Sequence, residues 1–226
     1  MRAAVIVLPG SNCDRDAHYV LQDLLHIETD LLGHRETGLF EYDLVIVPGG
    51  FAYGDYLRAG AIARFAPAVQ ALAQYVEKKR GFVLGICNGF QILTEAGLLP
   101  GALLKNSERK FICQPVQLRV ENADTPFTHL FREGEIIELP IAHSEGRYFN
   151  MPAELAKLKQ KRLILLTYAA ENPNGSVEKI AGVMNEAGTV FGLMPHPERN
   201  SEKLFGSGAG LKMFQSLVSS LEAVHG

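Results

Sequence analysis

Cys87 lies in the run Gly85-Ile86-Cys87-Asn88-Gly89-Phe90-Gln91, with apolar Phe82-Val83-Leu84 before it and a helical pattern after it. Glycines two residues either side of a nucleophile are what a sharp strand-to-helix turn requires, because side chains there would collide. That turn predicts a cysteine held above the end of a sheet, at the positive end of a helix. A free cysteine, with a pKa of about 8.5, is mostly thiol at neutral pH; a helix N-terminus and an adjacent imidazolium bring it down to roughly 3.5–7.5. Far downstream, Pro195-His196-Pro197-Glu198-Arg199 offers an imidazole and a carboxylate. His196 can carry the proton to a leaving group, while Glu198 sets its tautomer and orientation. An acyl transfer also needs donors for the developing oxyanion. The backbone N–H of Asn88 is the natural first donor, and that of Gly50, in Pro48-Gly49-Gly50, is the candidate second. Together these residues describe a cysteine hydrolase.

Each element has a plainer reading. A lone Gly-x-Cys-x-Gly fits a small core cysteine, a lone histidine fits a satisfied structural one, and Pro-Gly-Gly fits a tight turn. The joint occurrence of Cys87 and His196 at the ends of apolar runs, with Glu198 two residues further on, decides for catalysis. Cys13 and Cys113 lack such a frame and are expected to be structural. Metal binding by Cys87 and His196 is disfavoured because further soft ligands are missing at useful spacing, and no metal site is expected. Neither a Gly-x-x-x-x-Gly-Lys-Ser/Thr loop nor a Gly-x-Gly-x-x-Gly fingerprint occurs, so those two modes of nucleotide binding are not expected.

The elements that must position these groups follow from periodicity. Residues 3–8 read as a first strand. Asn12 is the expected N-cap of a helix through Leu25, with Ala17, Val20, Leu21, Leu24 and Leu25 at helical spacing. Short strands are predicted near Ile27–Leu31 and over Asp43–Val47, then a long helix from about Ala59 to Lys79 leading into the nucleophile strand. This alternation implies an α/β fold, a doubly wound, mostly parallel sheet flanked by helices. The stretch from Gly101 to about Glu138 has alternating texture, as in Val116-Gln117-Leu118-Arg119-Val120, and reads as a small antiparallel insertion at one side. Leu163–Tyr168, Lys179–Met184 and Val190–Met194 supply the last strands, and a helix from about Ser207 to Val224 closes the chain. Active sites on open parallel sheets lie at the carboxyl ends of strands, where Gly49-Gly50, Cys87 and His196 can meet.

Bulk properties agree with an ordinary globular protein. The 226 residues are 47% hydrophobic and 21% charged, with a formal charge of −3 and no linker, which suggests one domain over residues 1–226. Nothing points to nucleic acid or an anionic membrane. The run Glu77-Lys78-Lys79-Arg80 reads as a solvated helix end with cations near its C-terminus. No apolar run reaches the ~18 residues of a membrane span, and the N-terminus reads as a strand rather than a signal peptide. Three unevenly spaced cysteines argue against a disulfide framework and for a reducing cytoplasm.

At the level of motifs, Gly-x-Cys-x-Gly-x-Gln followed by Pro-His-Pro-Glu resembles the class I (triad) glutamine amidotransferases. The resemblance implies that Cys87 attacks the glutamine side-chain amide, that His196 is base and acid with Glu198 orienting it, and that Gln91 binds substrate. Further segments narrow the match: Pro9-Gly10-Ser11-Asn12-Cys13-Asp14, Pro48 to Tyr56, Asn172-Pro173-Asn174-Gly175-Ser176 and Pro140 to Tyr148 resemble the branch that serves formylglycinamide ribonucleotide amidotransferases. His143, Ser144 and Tyr148 then become candidates for glutamine binding. Ser144 departs from the glycine expected there and puts that loop's detailed role in doubt. The resemblance implies glutamine as substrate and no cofactor in this chain. It also implies a synthetase subunit (PurL) using ATP and magnesium, and a small bridging subunit (PurS). Ammonia, mostly protonated in water at neutral pH, would have to pass directly to the synthetase. Phe51–Gly60, with exposed-looking Tyr53, Asp55, Tyr56 and Arg58, is then either part of a docking surface or gate, or a solvated loop. Competing readings are a glutaminase for another pathway, a free-standing gamma-glutamyl hydrolase, a cysteine-elbow stress protein, and a non-catalytic descendant.

Overall fold

Short, nearly uninterrupted apolar runs become the central strands of one nine-stranded sheet, where both faces are covered and no polar alternation is needed. The computed structural model describes residues 1–78, 81–204 and 206–225. The chain begins with β1 (Arg2–Val7), α1 (Asp14–Tyr19), β2 (Glu28–Gly33), β3 (Leu44–Val47), α2 (Pro67–Lys78), β4 (Phe82–Ile86) and α3 (Asn88–Glu95). It continues with β5 (Ala102–Leu104), β6 (Ile112–Val120), β7 (Ile136–His143), β8 (Arg147–Phe149), α4 (Pro152–Gln160) and β9 (Ile164–Tyr168), and closes with β10 (Ile180–Met184), β11 (Val190–Leu193) and α5 (Ala209–His225).

The sheet order is β2-β1-β3-β4-β11-β10-β9-β6-β7. β2, β1, β3, β4 and β11 pair in parallel, and the remaining strands continue the same sheet antiparallel. β5 and β8 form a separate two-stranded antiparallel sheet. The alternating segment therefore divides: β6 and β7 extend the main sheet at one edge, and β5 leaves it. On β6 the residues Val116, Leu118 and Val120 are buried and their neighbours Gln117 and Arg119 exposed, as a strand with one wet face demands. The strands β3, β4 and β11 are side by side and parallel. Gly49-Gly50, Cys87 and His196, which follow them, are thus gathered at one sheet edge.

Two helix boundaries differ from expectation for local reasons. Cys13, not Asn12, occupies the cap position of α1, because the Asn12 N–H is drawn to the Gly49 carbonyl (3.3 Å) and its Oδ1 accepts from Cys13 Sγ. The helix then widens into a π turn over Val20–Leu24, closed by Leu25 N–H on the Val20 carbonyl. The long helix does not start at Ala59. Ala66 precedes Pro67 and is pushed to an extended conformation (ψ 135°), so α2 begins only at Pro67, after a loop and a single 3-10 turn at Ala63–Phe65. In the run Glu77–Arg80, Lys78 ends α2, and Lys79 and Arg80 lie outside the described residues.

Candidate active site

The turn from β4 into α3 is as tight as its glycines suggest. A Cβ on Gly89 would lie 1.8 Å from the Val47 carbonyl oxygen, and one on Gly85 would lie 2.9 Å from the Gly89 backbone. Only glycine lets α3 come this close to β3 and β4. Cys87 between them is held at φ 51° and ψ −103°, a conformation that side-chain-bearing residues rarely adopt and that aims the thiol out of the turn. Its N–H is spent on the Leu193 carbonyl of β11 (2.8 Å) and its carbonyl on Gln91 N–H (3.2 Å), which ties the strain into the sheet and the helix. The thiol itself lies 3.7 Å from the Ala142 carbonyl at the end of β7.

His196 enters from the end of β11, and its own N–H is fixed by the Pro140 carbonyl of β7 (2.8 Å). The side chains of His196 and Glu198 are buried, with Nδ1 bonded to Glu198 Oε1 at 2.5 Å. That leaves Nε2 as the nitrogen available to a thiol, and it carries no other hydrogen bond. Burial works to lower the His196 pKa, but the Glu198 carboxylate and then the Cys87 sulfur outweigh it and hold it well above the ordinary value. A cationic imidazole beside Cys87 sets a positive charge and a proton donor next to the sulfur. Gly49 makes room for the ring, since a Cβ there would meet His196 Cε1 at 2.8 Å.

Cys87, His196 and Gly50 line one cleft of about 220 Å³, together with Asn12, Cys13, Phe51, Phe111, Cys113, Ala142 and Arg199. The rings of Phe51 and Phe111, both half exposed, are 6.5 Å apart at this cleft. Cys13 and Cys113, expected to be structural, therefore belong to the cleft wall. Cys13 is buried, with Sγ accepting from Arg199 Nη2 at 2.9 Å. Cys13, His196 and Glu198 present ligand atoms within 4.8 Å of one another, but the Arg199 cation already occupies the cysteine, and His196 the carboxylate. The cluster is a hydrogen-bonded one. No local chemical pattern distinguishes Cys13 or Phe111, which reach the cleft through tertiary proximity, whereas Arg199 is carried there by the segment that holds His196 and Glu198.

The remaining site candidates have side chains outside the set that lines the cleft. Asn88, whose N–H heads α3, is buried, and Gln91 is buried with its amide shared between Asn88 Nδ2 (2.9 Å) and the Glu145 carbonyl (2.6 Å). His143 is buried with Nδ1 on Asn106 Oδ1 at 3.1 Å, and its pKa is pushed down to about 4 by burial and then by the charge of His196. Ser144 is exposed and uses its carbonyl to accept from Asn106 N–H. Tyr148 is not brought to the cleft: its hydroxyl donates to the Pro100 carbonyl (2.9 Å), and its ring stacks on Phe90 of α3. The segment Asn172–Ser176 supports this loop. Asn174 Nδ2 donates to the Gly146 carbonyl (2.7 Å), and Ser176 Oγ accepts from Tyr148 N–H (2.9 Å). Of the residues flagged in Phe51–Gly60, Tyr56 and Arg58 are exposed, the latter with its guanidinium on Glu95, whereas Tyr53 packs edge-on against His34 and Asp55 is half-buried beside Asn88.

Comparison with known proteins places this geometry in a lineage. Residues 1–219 match the CobB/CobQ-like glutamine amidotransferase domain family. A Nostoc protein named phosphoribosylformylglycinamidine synthase subunit PurQ is 50% identical over 99% of this chain and 100% of its own length. The protein of that name from Lacticaseibacillus casei is 54% identical over 98% of this chain and 96% of its own. Among solved structures, PurLQS from Thermotoga maritima contains a chain with 50% identity and a TM-score of 0.89, covering 97% of this chain and 98% of that one. Another Thermotoga maritima structure, of a glutamine amidotransferase, shares the fold alone: it is 18% identical with a TM-score of 0.63, over 98% of this chain and 97% of that one. A cysteine elbow at the centre of the sheet, a buried His–Glu pair beside it and similarity along the full length lead to one conclusion: this chain belongs to the CobB/CobQ-like glutamine amidotransferases.

Proposed function

We propose that this chain is the glutaminase subunit of phosphoribosylformylglycinamidine synthase, acting in de novo purine biosynthesis. The observation that carries this reading is identity of about half over essentially the full length of proteins so named, in a chain that keeps the cysteine elbow and the His–Glu pair.

Cys87 is the nucleophile. As a thiolate paired with the His196 imidazolium, it adds to the side-chain amide carbon of glutamine, and the oxyanion is received by the N–H groups of Asn88 and Gly50. His196 gives its proton to the departing nitrogen, so ammonia leaves and a glutamyl thioester remains. Neutral His196 then takes a proton from water, which adds to the thioester and releases glutamate and the thiolate. Glu198 keeps the imidazole in one tautomer throughout and favours its charged form. Gln91 and His143 act by supporting the walls of the site rather than by direct contact. Ser144 is the one member of its loop with an exposed side chain free to meet substrate.

Residues 1–226 act as one glutaminase domain. This chain needs no cofactor for that half-reaction. The synthetase partner (PurL) binds ATP and magnesium, accepts the ammonia and converts formylglycinamide ribonucleotide to formylglycinamidine ribonucleotide, with the small subunit PurS completing the assembly. Among the described residues no helix is long and apolar enough to cross a membrane. The cytoplasm is the proposed site of action. The deciding experiment is glutamate release from glutamine by the purified chain, alone and with the synthetase and bridging subunits and their ligands. Strong activation, abolished by Cys87→Ala, supports the assignment. High activity indifferent to those partners points instead to a free-standing glutaminase.

A further inference from the structure

The loop Phe51–Gly60 is bonded to the head of α3 through the side chain of Asn88. Its Oδ1 accepts from Ala52 N–H (3.0 Å), and its Nδ2 donates to Asp55 Oδ1 (3.3 Å) and Gln91 Oε1 (2.9 Å). Gln91 Nε2 donates to the Glu145 carbonyl (2.6 Å), and Glu145 Oε2 accepts from Ala59 N–H (3.0 Å). The bonds form a closed circuit, from the loop to α3, on to the segment after β7, and back to the loop. Inside the circuit the loop backbone is held in the left-handed region at Tyr53 (φ 54°), Asp55 (φ 52°) and Leu57 (φ 70°). Non-glycine residues there cost about 1–2 kcal/mol each, so the polar bonds, rather than backbone preference, define the loop's shape.

We infer that Asp55 is a positioning residue for the oxyanion donor. The peptide between Cys87 and Asn88 lies in the strained part of the elbow, and its N–H is the one the proposed mechanism gives to the oxyanion. Asn88 can turn that peptide toward a relaxed conformation only if its side chain leaves its three partners. Two of those partners, Ala52 and Asp55, belong to the loop. Asp55 is the only one of the three that offers a side-chain group from a segment outside the core. Displacement of the loop, whose residues Tyr56 and Leu57 are 73% and 90% exposed, would thereby be transmitted to the donor. This inference rests on the glutaminase reading.

The test compares Asp55→Ala with Asp55→Asn in the full chain assembled with its synthetase and bridging subunits. Loss of a whole oxyanion donor costs about 10²–10³-fold, so loosening one is expected to lower kcat for glutamine hydrolysis about 10-fold. KM stays within about twofold, because ground-state binding is untouched. In Asp55→Asn the new amide still offers an acceptor to Asn88 and is expected to restore kcat to within about threefold. Alkylation of Cys87 by iodoacetamide needs the thiolate but no oxyanion donor, and stays at the wild-type rate in both variants. Unchanged kcat in Asp55→Ala, an asparagine variant as slow as the alanine one, or alkylation slowing in step with kcat would each overturn the inference. If the alanine variant does not fold, Asp55→Ser, too short to reach Asn88, takes its place under the same criteria. Cys87→Ser that still hydrolyses glutamine would instead remove the nucleophile assignment, whatever the Asp55 variants do.

Discussion

The elbow and the loop that leans on it are built from opposite materials. Around Cys87 the backbone is fixed by packing: Gly89 lies against the Val47 carbonyl, β4 is wholly buried, and the strain at Cys87 is locked by bonds to β11 and α3. Around Asp55 the backbone is also strained, but it is fixed by polar contacts, among them the half-buried Asp55 on Asn88 and the exposed Arg58–Glu95 pair. Packing gives a geometry that does not adjust, as a nucleophile requires. Individual polar contacts near solvent are each worth little, which leaves a shape that a binding partner can shift. Chemistry and its control are thus separated by the kind of force that holds each.

The sharpest break of this contrast starts with the nucleophile. Cys87→Ala is expected to lower glutaminase turnover by at least about 10⁴-fold while leaving the melting temperature near that of the wild type, because a small buried side chain is replaced by a smaller one. Residual turnover above that level, measured as glutamate release, would mean that another thiol in the cleft, Cys13 or Cys113, does the chemistry. Next comes Glu198→Gln, expected to cost about 10²–10³-fold in kcat by releasing the imidazole tautomer. It also removes the main cause that raises the His196 pKa. The imidazolium that protonates the leaving nitrogen is then lost at lower pH, so the alkaline limb of the kcat profile for glutamine hydrolysis should move to lower pH. A limb that stays in place would show that Glu198 orients the ring without setting its charge.

The stability of the two regions should differ in the same sense. Gly89→Ala drives a Cβ into the Val47 carbonyl oxygen, and because both are backbone-borne neither can step aside. A loss of about 3 kcal/mol, roughly 6–12 °C in melting temperature for a chain of this size, is expected. A shift of about 1 °C would mean that the elbow is far more pliable than its contacts indicate.

These contrasts also explain what could be read in advance. The elbow was legible because its requirements are local: glycines at fixed offsets from Cys87, an apolar strand before it and a helix after it. His196 and Glu198 were legible because they are two residues apart. Cys13 and Arg199, at opposite ends of the chain, meet at 2.9 Å only after β1 and β11 take their places, and neither carries a local mark of that contact. Tyr148 failed as a cleft residue because strand alternation decides which way it faces, and β8 pairs with β5 in a separate sheet that turns it under α3. The long helix was misplaced at its start because apolar residues at 59–66 satisfy helical spacing, while Pro67 forbids Ala66 a helical conformation. The antiparallel half of the main sheet was only partly visible, since strand orientation leaves no trace in a short apolar run.

On the loop side, Asp55→Asn should stabilise. Burial and then the nearby Glu145 charge raise the Asp55 pKa to about 6. The free carboxyl titrates near 3.9, so the folded protein holds the proton more tightly than the unfolded chain. Stability from this group is therefore fully present below about pH 4 and is lost as pH rises through about 6, which leaves an ionised Asp55 unfavourable at neutral pH. Asparagine removes that penalty. The gain at pH 7.5 is about 1 kcal/mol after allowance for solvent screening of a half-buried group, or roughly 2–4 °C, and it should vanish below about pH 4. A gain that persists in acid would assign the effect to packing rather than to charge.

The smallest effect is expected at Arg58. Its guanidinium grips Glu95 with two bonds, 2.6 and 2.7 Å, yet it remains 56% exposed. An ion pair so open to water contributes at most about 1 kcal/mol, and salt screens part of that. Arg58→Ala should lower the melting temperature by about 1–3 °C at low ionic strength and by less at high salt. Glu95 keeps a second, looser cation in Arg64 at 3.9 Å, so its carboxylate is not stranded by the change. A loss of 10 °C or more, insensitive to salt, would place Arg58 among the groups that packing fixes and would erase the distinction between loop and elbow. A small, salt-dependent loss would leave the loop's shape distributed over several weak bonds, the condition under which a docking partner could reset it.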